Sequence, residues 1–222
     1  IVLENLPLEE ILRRLKNSGP EYYNLIIIFY NLYLSFHNFK ETKHFYSARK
    51  IHLKIKSGLN RNENHHIYSL FITYCIDQTN LGKLEFYIEL FKIIDEKLKD
   101  GYFDELKTPN IPVNNFRDYV IIGLRVNKTE WVKKFIKEYS VYLPVQYRQD
   151  DINLANGLIA LEENMFEEAI AVLSKVKKKN YIHYLDSSFN MLRAYYKLNL
   201  FYDAFKEIDK IKEYFSRNKN IP

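Results

Sequence analysis

The chain has 222 residues, 47% apolar and 16% aromatic, which supplies enough apolar surface for a substantial core and too much for a disordered segment. Only 6 Gly and 6 Pro are present, which disfavours a turn-rich all-β fold. The formal charge of +5 is carried by 24 Lys and 9 Arg against 28 acids; it fits a nucleic-acid binder, or more simply an AT-rich codon bias that also enriches Asn, Ile and Tyr.

Helical periodicity runs through the whole chain. Leu8, Ile11, Leu12 and Leu15 stand at i, i+3, i+4 and i+7 and predict a first helix, stopped by Gly19, with Pro20 opening the next. The stretch "EYYNLIIIFYNLYLSFHNF" is apolar nearly all round, as for a helix buried between neighbours. "KETKHFYSARKIHLKIKSG" follows and ends at Gly58. "NENHHIYSLFITYCIDQTN" and "LGKLEFYIELFKIIDEKLKDG" form another pair, with Asn80 and Gly82 in the turn and Gly101 at the exit. Residues 98–112 hold Gly101, Pro109 and Pro112 and are the best hinge or subdomain boundary. Beyond them lie "VNNFRDYVIIGLRVN" and "KTEWVKKFIKEYSVYL", broken by Pro144. The last four helices are read as Gln146–Glu162, Phe166–Lys178, Ile182–Leu198 and Phe201–Arg217. The expected total is about eleven helices, in pairs joined by short turns, with no stretch alternating long enough to propose a sheet.

The one cysteine, Cys75, excludes an internal disulfide framework and fits a reducing, cytoplasmic setting. The longest apolar run, "LIIIFY", is too short to span a bilayer, and no membrane association is expected. A start at Ile1 and a stop at "NKNIP" fit a piece of a longer protein.

An internal repeat supplies the architecture. "NMFEEAIAVLSKV" from Asn164 is echoed by "NLFYDAFKEIDKI" from Asn199, 35 residues later. With Ala169 on Ala204, Gly157 meets Leu192, Ala160 meets Tyr195, Phe166 meets Phe201 and Leu173 meets Ile208. A small side chain at the helix crossing lets two antiparallel helices approach to roughly 8–10 Å between axes. A looser unit, "YVIIGLRVNKTEWVKKFI", places Gly123, Asn127 and Trp131 near the corresponding positions.

These residues resemble the tetratricopeptide repeat, a helix-turn-helix of about 34 residues. The matches are Gly157, Phe166 and Ala169 in one unit and Tyr195, Phe201 and Ala204 in the next. The chain departs from the family pattern in lacking the first-helix tryptophan, in Leu192 and Val132 where small residues stand, and in having no closing proline. The resemblance covers residues 113–217; residues 1–105 keep only the paired-helix rhythm. It implies an all-α, right-handed α–α superhelix, a solenoid over the single domain 1–222. The last helix carries an apolar stripe of Phe201, Phe205, Ile208 and Phe215, widened by Ala204 and Ile211, so further helices of the full-length chain are expected to pack there.

No catalytic motif occurs, and the six glycines are scattered singly, so the protein is read as non-enzymatic and without cofactor. Cys75 sits amid apolar helix positions as a core residue rather than a nucleophile. His65 and His66 diverge by about 100° on a helix. His37, His44 and His52 lack a Cys or carboxylate to complete a ligand set, so no metal is expected. The resemblance implies a concave groove lined by first helices. Its residues would be Asn114, Arg117 and Arg125, then Asp151, Leu154 and Leu158, then Asp186, Phe189, Arg193, Tyr196 and Lys197. Arginine forks, an amide and aromatics there suit a peptide with acidic and apolar groups. The expected role is therefore a scaffold or adaptor for a protein or peptide; the alternative is a basic helical-repeat module that binds nucleic acid.

Overall fold

A computed structural model describes residues 20–102, 110–177 and 180–219. The helix predicted around Leu8–Leu15 lies outside them. The described residues form ten α-helices and no strand, so the chain is all-α; they account for every expected helix that falls within them. It divides into two compact units, Ile1–Glu105 and Leu106–Pro222. The division of what the sequence reads as a single domain falls inside the irregular joint at 98–112.

Unit 1 holds α1 (Pro20–His37), α2 (Lys43–Ile55), α3 (Arg61–Asn80) and α4 (Phe86–Lys99). α1 pairs with α2 and α3 with α4, and both members of the first pair touch α3. Local chemistry sets the ends. Asn60 Oδ1 accepts from Glu63 N at 3.0 Å while Glu63 Oε2 accepts from Asn60 N at 2.8 Å, a reciprocal cap that starts α3. Gly82 takes φ +86°, which only glycine adopts cheaply, and lets Lys83 N donate to Gln78 O across the end of α3. The core is aromatic: Phe45 stacks on Tyr74 at 4.6 Å and meets Phe71 and Phe86 edge-on.

Unit 2 holds α5 (Val113–Arg125), α6 (Thr129–Tyr139), a 3-10 turn at Ser140–Tyr142, α7 (Val145–Glu162), α8 (Phe166–Leu173), α9 (Tyr181–Lys197) and α10 (Phe201–Arg217). The hairpins are α5/α6, α7/α8 and α9/α10. First helices pack on first helices, α5 on α7 and α7 on α9, while α6 also touches α7 and α8 touches α9.

The three hairpin turns have the same construction. Among the described residues the non-glycine positions with positive φ are Asn127, Asn164 and Asn199, at 57°, 60° and 57°. Each asparagine follows the end of a first helix and reverses the chain, as asparagine does at little cost because its short amide tolerates the left-handed region. Across them, Lys128 N donates to Gly123 O, Met165 N to Ala160 O and Leu200 N to Tyr195 O, at 2.9, 2.8 and 2.9 Å.

Small residues set the distance between hairpin arms. A Cβ on Gly157 would lie 2.4 Å from Leu173 of α8, and one on Gly123 would lie 2.5 Å from Val132 of α6. The close approach in these two hairpins therefore falls at the first-helix glycine, with Leu173 and Val132 fully buried across from it. α8 ends at Leu173, short of the Lys178 expected, because the chain tightens through Lys175 N to Val172 O and Val176 N to Leu173 O and turns Val176 into the core.

Candidate functional site

In unit 1 the polar groups are knitted into the packing. Arg49 is buried, forks onto both oxygens of Glu96 at 3.0 and 2.9 Å, and lies over the Phe71 ring at 5.2 Å. His52 Nε2 donates to Asn64 Oδ1 at 2.8 Å, and Asn64 in turn donates to Lys56 O and to the Tyr102 hydroxyl. Lys56 and the Tyr68 hydroxyl both donate to Asp100, at 2.5 and 2.6 Å. Burial lowers the His52 pKa, against the raising effect of its bond to Asn64. His37 and His44 contact Tyr33 and Asn31 separately. No group of three or more metal-ligating side chains stands together among the described residues. Cys75 is buried, which pushes its thiol pKa up and keeps it from acting as a thiolate.

In unit 2 the residues expected to line a groove divide into two sets. One set is turned inward or consumed by internal pairing. Leu154 belongs to the apolar core with Leu161, Ala169 and Leu173. Asp151 is buried with its Oδ1 2.9 Å from His183 Nδ1 on α9. That contact is poorly directed for a hydrogen bond, and neither side chain has another hydrogen-bond partner among the described residues. Burial raises the Asp151 pKa and His183 opposes the rise. Arg117 on α5 donates to Asp186 on α9 and, at 2.6 Å, to the adjacent Asp118. Burial works against its charge, but the two carboxylates outweigh it and hold the guanidinium charged. Burial also raises the Asp118 carboxyl, despite Arg117. The expected arginine fork is thus already occupied by two acids of the protein.

The other set faces solvent. Asn114 and Arg125 are exposed on α5, Leu158 is half-buried on α7, and Phe189, Arg193, Tyr196 and Lys197 stand out from α9 at helical spacing. Sequence reasoning missed His183 and Asp118. The signal for Asp118 was its place one residue after Arg117 on the same helix. Nothing in the single sequence puts His183 opposite Asp151, since the repeat register aligns it with Arg148.

No helix among the described residues is long and apolar enough to cross a membrane. Compared with protein-family models, with curated proteins and with solved structures, the chain has no significant match.

Proposed function

We propose that unit 2 is a tetratricopeptide-like scaffold, its hairpins wound as a right-handed α–α superhelix, that binds a cytoplasmic protein or peptide without catalysing a reaction. The observation that carries this reading is the shared geometry of the three asparagine turns, which supports reading the hairpins as copies of one unit, with first helix packed on first helix. Such a stack presents side chains of successive first helices on one side. Of the expected groove residues, Asn114, Phe189, Arg193, Tyr196 and Lys197 are exposed, a polar, aromatic and basic set suited to apolar and acidic groups of a partner.

The test is a photo-crosslinking amino acid placed at Asn114 or Arg193, and at Lys175 as a control, in the protein within its own cells. Protein adducts from Asn114 and Arg193 but not from Lys175 support the scaffold. Equal labelling from all three positions contradicts it. Adducts to nucleic acid, with binding to nonspecific RNA that weakens steeply with salt, would favour the nucleic-acid alternative.

A further inference from the structure

The repeat offers an internal template for the end of unit 2. Counting 35 residues back from α9 and α10, Phe189 corresponds to Leu154, Tyr196 to Leu161, Phe201 to Phe166 and Phe205 to Ile170. Those four earlier residues all belong to or pack against one core cluster, which Met191 and Ala194 of α9 help to close. Leu154 and Leu161 are each 2% exposed. Their later counterparts are not covered: Phe189 is 54% exposed, Tyr196 68%, Phe201 50% and Phe205 66%. Tyr196 and Phe201 touch, ring centroids 6.2 Å apart, which joins the α9 and α10 parts into one surface. The face that receives a helix one repeat earlier is present again and open.

The side chains differ from the template in one direction. Leu154, Leu161, Ile170 and Leu158 are aliphatic, whereas the open face has Phe189, Tyr196, Phe205 and Arg193. Aromatics and arginine are enriched where separate chains meet. Arg193, where the template has half-buried Leu158, and nearby Lys197 place exposed positive charge beside the rings. Deepening the scaffold reading and resting on it, we infer that this end face docks an amphipathic helix of a different polypeptide. That helix lies as α9 lies on α7 and α8, with an apolar side against the four rings and acidic residues toward Arg193 and Lys197.

The probe is a stapled peptide that copies the buried side of α9, including Met191 and Ala194, and carries glutamates at the positions flanking that side. Its binding to the protein is followed by fluorescence anisotropy against the same peptide with lysines in place of the glutamates. The glutamate peptide is expected to bind, and the lysine peptide to bind at least about tenfold more weakly. Phe205→Glu and Phe189→Ala, both at exposed positions, should each weaken the glutamate peptide at least about tenfold with unchanged circular dichroism. Equal affinity for both peptides would overturn the inference, and so would indifference to both substitutions. So would concentration-dependent self-association abolished by Phe205→Glu, since the occupant would then be a second copy. Protection of the four rings from surface labelling in the protein alone would also overturn it. Loss of the end face in this way, with crosslinks from Asn114 intact, would leave the scaffold reading standing.

Discussion

Gly157 of α7 lies against Leu173 of α8 so closely that a Cβ on the glycine would stand 2.4 Å from Leu173 Cγ and Cδ2. In a solvent-facing helix, Gly→Ala gains roughly 1 kcal/mol from propensity. Here overpacking of about 1–3 kcal/mol opposes it, since Leu173 is fully buried and must shift to admit the Cβ. Gly157→Ala is therefore expected to destabilise the protein by about 1 kcal/mol in urea unfolding. In a Leu173→Ala background the same change should become neutral or stabilising, which isolates the steric contact.

The asparagines at 127, 164 and 199 make a second prediction. Each holds φ near +60°. Glycine adopts that region freely, whereas alanine pays roughly 1–2 kcal/mol for it. Asn164→Gly should stabilise or leave stability unchanged to within about 1 kcal/mol, and Asn164→Ala should destabilise by about 1 kcal/mol. Parallel changes at Asn127 and Asn199 should behave alike in thermal melts, because the turns share one geometry.

Much of this architecture was legible in the sequence because it rests on short-range signals. Phe201–Arg217 emerges with the bounds that its apolar spacing predicts, and Gly82 and Gly101 end their helices where left-handed residues are needed. The asparagine turns also fell at the repeat positions. What the periodicity did not reveal was set by contacts between elements. α8 stops early because Val176 turns into the core, a tertiary demand that the lysines after it do not signal. The groove residues were placed by register alone, which says which face a residue shares but not what lies opposite. Register could not show that Asp186 and Asp118 neutralise Arg117, that His183 meets Asp151, or that Leu154 is covered by the next hairpin.

His52 predicts a pH dependence for unit 1. Burial disfavours its charged form, and Arg49 and Lys56 add to this against the opposing Asn64 bond and Glu96. A folded-state pKa below the ordinary value of about 6.5 means that the neutral ring stabilises the fold. That contribution is complete above about pH 6.5 and is lost as pH falls through the folded-state value, at no more than about 1.4 kcal/mol per pH unit. Urea midpoints measured from pH 7.5 down to 5 should fall, and His52→Gln, which can still donate to Asn64, should flatten the slope.

The Arg49–Glu96 pair predicts an asymmetry between single and double changes. Arg49 is buried and bound through both of its terminal nitrogens, with Glu89 at 3.7 Å as a weaker second acid. Glu96→Ala leaves a buried guanidinium poorly compensated and should cost about 3 kcal/mol, the lower end for breaking such a pair because Glu89 remains. Replacing both partners with apolar residues, Arg49→Met with Glu96→Leu, should cost less than Glu96→Ala alone. Chemical denaturation of the three variants checks this ordering.

Equivalence of positions 35 or 37 residues apart underlies both the groove and the end face, and it depends on the three turns being one turn. Solution NMR of the protein tests this directly. Asn127, Asn164 and Asn199 should all show the strong intraresidue amide–α proton cross-peak of a left-handed backbone. The amides of Lys128, Met165 and Leu200 should all exchange slowly, since each donates across its turn. A right-handed backbone at any of the three asparagines, or unprotected exchange at any of the three donors, would contradict the repeat.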